Sequence, residues 1–159
     1  LGFVMGKAKL APIPELTIPR LELCAAVLAV EMSELLTEEL KIKIDRTTFY
    51  TDSKVVLGYI NNQHRRFHVY VNNRVQRIKQ SSLPDQWRYV PTEHNPADHG
   101  SRSVAAEKLG SNSWLCGPAF LLNHESLLPE KGPFELVDPE SDVEVRHNVT
   151  VLKTTTAPG

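Results

Sequence analysis

Acidic side chains are missing from one long stretch of this chain: between Asp52 and Asp85 there is no Asp or Glu. Cysteine is scarce too, with Cys24 and Cys116 the only two. Two cysteines without further metal-ligand spacing build neither a zinc site nor a disulfide scaffold, and a reduced, cytosolic setting is the expectation. No apolar run is long enough to span a membrane, no signal-peptide pattern is visible and no segment repeats. What is present suits one soluble domain with a real core and a tail: 159 residues, 41% hydrophobic and 23% charged.

The formal net charge of −1 names no partner, but the placement of charge is informative. The acid-free stretch holds Lys54, Arg65, Arg66, Arg74, Arg77 and Lys79. The acids Glu130, Glu135, Asp138, Glu140, Asp142 and Glu144 gather toward the end. A basic middle and an acidic end predict a local anion-binding surface. The alternative is a solvated helix face followed by a charged linker.

Periodicity predicts a strand over 1–10, a proline-rich connection over 11–19 and a helix over 19–40. Pro19 suits the first helical position, and Leu21, Ala25, Leu28, Met32 and Leu35 form an apolar stripe. A strand follows over 42–51, centred on the β-branched and aromatic residues Thr47 to Tyr50. Asp52 or Ser53 caps a second helix reaching Asn61. A third helix over 67–79 buries Phe67, Val71, Val75 and Ile78. A short strand over 86–90 comes next. Asn95-Pro96-Ala97-Asp98 opens a last helix to Leu109, stopped by Gly110. The apolar patch from Trp114 to Leu122 is expected to dock on the domain. The order of elements predicts an α/β layered fold, a mixed sheet with flanking helices. The domain is expected to span 1–125, with 126–159 an acidic, proline-containing linker or tail.

Three acids stand at element ends: Glu22 near the start of the first helix, Asp52 after a strand, and Asp98 in the first turn of the last helix. Functional groups of α/β sheets gather at such places. Converging carboxylates repel one another and call for a hard cation with oxygen ligands, magnesium above all. A pair of such ions about 3.5–4 Å apart supports in-line displacement at a phosphodiester. Each acid also has a structural reading. Glu22 offsets its helix dipole, Asp52 caps a helix, and Asp98 joins Asn95 in a cap. The residues alone lead as far as a metal-dependent phosphoryl-transfer site beside a basic helix.

The local sequences carry a resemblance. Ile18-Pro19-Arg20-Leu21-Glu22-Leu23 with Ala25-Ala26, then Phe49-Tyr50-Thr51-Asp52-Ser53, then Asn95-Pro96-Ala97-Asp98-His99-Gly100-Ser101-Arg102, then Trp114-Leu115-Cys116-Gly117-Pro118-Ala119-Phe120-Leu121 resemble the ribonuclease H domain of Pao (BEL) long-terminal-repeat retrotransposons over about residues 1 to 122. The resemblance implies a ribonuclease-H-like fold and hydrolysis of the RNA strand of RNA–DNA hybrids with two Mg²⁺ ions, or Mn²⁺. It assigns Glu22, Asp52 and Asp98 as catalytic and metal-binding residues. The family's fourth acid is an aspartate on the first strand, and this sequence has no Asp before Asp45. Residues 1–10 resemble the third strand, so the first strands are expected upstream and this piece of a polyprotein is expected not to cleave. The alternative is a catalytically dead module that binds nucleic acid or joins neighbouring domains.

The substrate is told from DNA by its 2′-hydroxyl. Ser53, Asn61 and Asn62 are the candidates to read it, and Arg65, Arg66, Arg74, Arg77, Lys79 and Arg102 to follow phosphates. His94 and His99 lie near the last acid without matching the family's mobile histidine. The resemblance further implies the reverse transcriptase and integrase regions of the same polyprotein as partners, no membrane, and a place in a cytoplasmic virus-like particle or the nucleus.

Overall fold

The computed structural model describes residues 1–122 and 129–150. The boundary expected at 125/126 and the last residues, 151–159, lie outside the described residues. The chain folds as a mixed α/β structure. Its elements are α1 (Ile18–Glu39), β1 (Phe49–Thr51), α2 (Lys54–Asn61), β2 (Arg65–Phe67), α3 (Val69–Ser81), β3 (Trp87–Tyr89), α4 (Ser113–Cys116), β4 (Glu130–Lys131) and β5 (Val145–Thr150). Short 3-10 turns fill the interval between β3 and α4.

β1 and β3 run parallel, Phe49 beside Trp87 and Thr51 beside Tyr89, and β4 adds antiparallel to β3. This three-stranded sheet is mixed, as expected. A second pairing, β2 with β5, is antiparallel. The core lies between the first sheet and helices α1, α2 and α3. Phe49 stacks on Trp87 at a centroid distance of 4.6 Å. The indole N–H of Trp87 donates to Ser82 Oγ at 3.0 Å, so the largest buried side chain leaves no orphan donor.

α1 begins with Pro19 in its first turn, where a missing N–H is harmless. Its best-covered face differs from the expected stripe, of which only Leu28 is buried. Leu23, Ala26 and Val30 are buried and α1 packs on α3, which supplies Val71, Val75 and Ile78. At 3.6 residues per turn, Leu21, Ala25, Met32 and Leu35 fall on the opposite side. There Ala25 is exposed and Leu35 is 45% exposed, although Leu28 is almost covered. The helix is apolar on two faces, and periodicity alone does not say which one meets the core.

Other expectations are corrected in the same way. Residues 1–10 form no strand; Phe3 rests instead on the Trp114 ring. The strand expected over 42–51 is only β1, which pairs with β3 alone among the described residues. The helix expected over 67–79 starts two residues later, because Arg65 to Phe67 pair with β5. The helix expected from Asn95 to Leu109 breaks into 3-10 turns at Pro96–Ser101 and Ala106–Ser111. Gly100 lies against the Trp114 ring, a contact that fixes this stretch from outside rather than along a helix axis. The Trp114 to Leu122 patch does dock: Trp114 meets Phe3 and Gly100, and Phe120 meets Tyr50.

The described part of the expected acidic linker, 129–150, packs on the domain. Val145 and Glu144 are buried, and Arg20 grips the Glu144 carboxylate with both Nε and Nη2. Tyr59 donates to Asp142 at 2.8 Å. Gly58 of α2 lets the tail backbone approach: a Cβ there would stand 2.6 Å from the Glu135 carbonyl oxygen. Replacing Gly58 by alanine should therefore lower stability in urea unfolding. Helix propensity alone favours alanine by about 1 kcal/mol. A more stable Gly58→Ala protein would mean that the tail does not hold this seat.

Candidate active site

The site is built where α1, β1 and α2 meet. β1 ends at Thr51, Asp52 follows at a bend, and Ser53 is the N-cap of α2. The Ser53 hydroxyl accepts from the Val56 N–H at 3.2 Å and donates to Glu22 Oε2 at 2.5 Å. Ser53 itself is buried, while Glu22 and Asp52 are half-buried. The carboxylate of the first helix is thus pinned to the residue next to Asp52. Thr51 Oγ1 accepts from the Ser53 N–H at 3.2 Å and tightens the bend. Two of the three expected acids share one corner of the fold.

Asp98 belongs to a different arrangement. Asn95 caps the Pro96–Ser101 turn by accepting from the Ala97 N–H, as the sequence suggested. Asp98 pairs with Arg102 at 2.8 Å within that turn. Among the described residues no three His, Cys, Asp or Glu side chains are grouped so as to hold a metal ion. The donor set for two magnesium ions is therefore not assembled here: Glu22 and Asp52 offer a corner, and Asp98 is turned to Arg102. His94 and His99 are exposed in neighbouring turns.

The expected nucleic-acid residues divide into two groups. Arg77 is bound by Glu34, at 3.1 Å for one of its two contacts, and donates to Ser81 as well. Arg77 first and Ser81 second hold the Glu34 carboxyl down at about 2, so this clamp is fully formed above the usual carboxylate range and is lost only as pH falls toward that value. Arg74 lies 3.5 Å over the Tyr70 ring and donates to Cys24 Sγ at 3.4 Å. Asn61 bonds its own helix at Leu57. Arg65, Arg66 and Lys79 instead line a groove with Asn62. Arg146 of β5, which sequence reading missed, lines it too. The alternating Val143-Glu144-Val145 run into Val149 was the available strand signal.

A carboxylate on the first helix beside the carboxylate-bearing end of a parallel strand, in a mixed sheet with flanking helices, is compatible with the RNase H-like class of α/β domains. Residues 1–53 match the family model described as the Pao retrotransposon-like RNaseH-like domain, and the match supports a Pao-type RNase H domain. It covers Glu22, Asp52 and Ser53, and it points to a nucleic-acid-related role in a retrotransposon. No curated protein and no solved structure matches the chain.

Replacing Ser53 by alanine removes a helix cap and a hydrogen bond to a charged group. The expected loss is about 2–3 kcal/mol in urea unfolding, with Ser53→Thr retaining most of the stability. An alanine variant within about 0.5 kcal/mol of the parent, the range of an ordinary surface change, would show that the corner is not held this way.

Proposed function

We propose that this chain is the greater part of a retrotransposon RNase H domain that engages RNA–DNA hybrids, with Glu22 and Asp52 as half of a hydrolytic centre for the RNA strand. The observation that carries this reading is the Ser53 hydroxyl joining Glu22 to the end of β1. In this reading Asp98 and a carboxylate from one more strand supply the other half. The open edge of β1, which pairs only with β3 among the described residues, is a suitable seat for it. Mg²⁺ or Mn²⁺ is the cofactor this reading calls for, and the same polyprotein's reverse transcriptase is its natural neighbour.

A second reading has its own observation. The Asp98–Arg102 pair and the lack of a three-acid group among the described residues favour a module that binds hybrid without cutting it.

The deciding experiment is cleavage of a labelled RNA–DNA hybrid in Mg²⁺ or Mn²⁺ by this chain and by one extended upstream. The expected result is hybrid binding by both and cleavage only by the longer protein, abolished by Glu22→Gln or Asp52→Asn with the fold intact. Cleavage that survives both substitutions would remove these residues from the site. Binding without cleavage in the longer protein would select the non-cutting module.

A further inference from the structure

The groove between the end of α2, β2 and α3 has a cavity volume of 670 Å³. Its charged lining is Arg65, Arg66, Lys79 and Arg146, and no Asp or Glu lines it among the described residues. One of these cations, Arg65, is paired with Glu140 at 2.5 Å. Asn72 and Gln76, one helical turn apart on α3, add amide donors to the wall, and Phe67 and Val75 form an apolar floor. Arg66 and Arg146 are exposed side chains on paired strands.

Lys79 sets the chemistry. Its ammonium donates to the Asn62 carbonyl oxygen at 3.0 Å, and burial pulls its pKa below the ordinary lysine value. The fold therefore keeps a partly desolvated cation without a carboxylate partner among the described residues. An anion in the groove would supply the missing charge. Guanidinium groups match phosphate oxygens in pairs, and amide donors suit the remaining oxygens.

We propose that this groove binds phosphate groups of a nucleic-acid backbone, with the tail strand β5 contributing one of its cations through Arg146. The inference rests on the hybrid-binding reading above but names a separate surface. It sets aside Arg74 and Arg77, which are occupied within the protein, keeps the expected Arg66 and Lys79, and adds Arg146. It also makes the tail part of the binding face instead of a linker. The phosphate could equally come from a free phosphate compound, and the two sources are separable.

The test compares the full chain with Arg66→Ala/Arg146→Ala, and with Lys9→Ala/Lys108→Ala as a control of equal charge change on exposed residues elsewhere. Hybrid binding is followed against KCl concentration, and pyrophosphate binding by titration of the protein alone. Loss of the two arginines should weaken hybrid binding about tenfold and reduce the salt slope by about 2, while the control changes it far less. Pyrophosphate binding should weaken in the same variant. Hybrid binding unchanged in the arginine variant overturns the groove and leaves the hybrid reading standing. Pyrophosphate binding that depends on the two arginines, with no hybrid binding by the parent, supports the groove as a site for free phosphate and overturns the hybrid reading. Binding of neither probe by the parent overturns both.

Discussion

The hydroxyl of Ser53 is the joint on which the candidate site depends. It accepts the Val56 N–H that opens α2 and donates to the Glu22 carboxylate that opens α1. One small buried side chain thus sets the phase of two helices relative to the end of β1. A cap is worth about 1 kcal/mol and a hydrogen bond to a charged group about 1.5–3 kcal/mol, enough together to matter in a marginally stable domain. The geometry also has a chemical consequence. Glu22 is tied by a neutral donor to the residue that follows Asp52.

The second constraint is the tail. Glu144 is buried, and a buried carboxylate is tolerable only when paired and hydrogen-bonded. Arg20 supplies the pair from the first turns of α1, two residues before Glu22. The same Arg20 lies 4.4 Å from the Tyr70 ring centroid. Removing one partner of such a pair leaves the other charge uncompensated, so the tail and the start of α1 hold one another in place. The segment that composition marked as a linker therefore braces the helix that carries the first candidate acid.

Much of this was legible from sequence and some was not, for identifiable reasons. α3 and β3 follow their apolar periodicities, and the capping residues Ser53 and Asn95 are where turn chemistry places them. α1 has its predicted extent but buries Leu23, Ala26 and Val30 and, of the Leu21 to Leu35 stripe, only Leu28 fully, because both faces are apolar and only a tertiary partner selects between them. Residues 1–10 carry a strand-like composition, yet a strand exists only as half of a pair. The 95–109 interval has a proper start signal, but Gly100 is fixed by Trp114, a contact distant in sequence. In the candidate site, Glu22 and Asp52 were findable as acids at element ends. Their joining through Ser53 was not, since it depends on how α1 is rotated. Arg146 was hidden by the acidic composition around it.

Charge segregation along the chain turns into charge pairing in the fold. Arg65 meets Glu140 and Lys54 meets Glu130, so the acidic end neutralises part of the acid-free middle, while Glu144 reaches Arg20 of α1. The Lys54–Glu130 pair is about half exposed on both sides and contributes little to stability, whereas Glu144 is almost wholly covered. The pairing has a larger effect on where positive potential remains. Arg77 is taken by Glu34 and Arg74 is packed on Tyr70, whereas Arg66, Lys79 and Arg146 line one groove. A count of basic residues over 54–79 describes a broad basic helix. The folded chain instead gathers Arg66, Lys79 and Arg146 at one groove, with Glu140 of the tail paired to its fourth cation, Arg65.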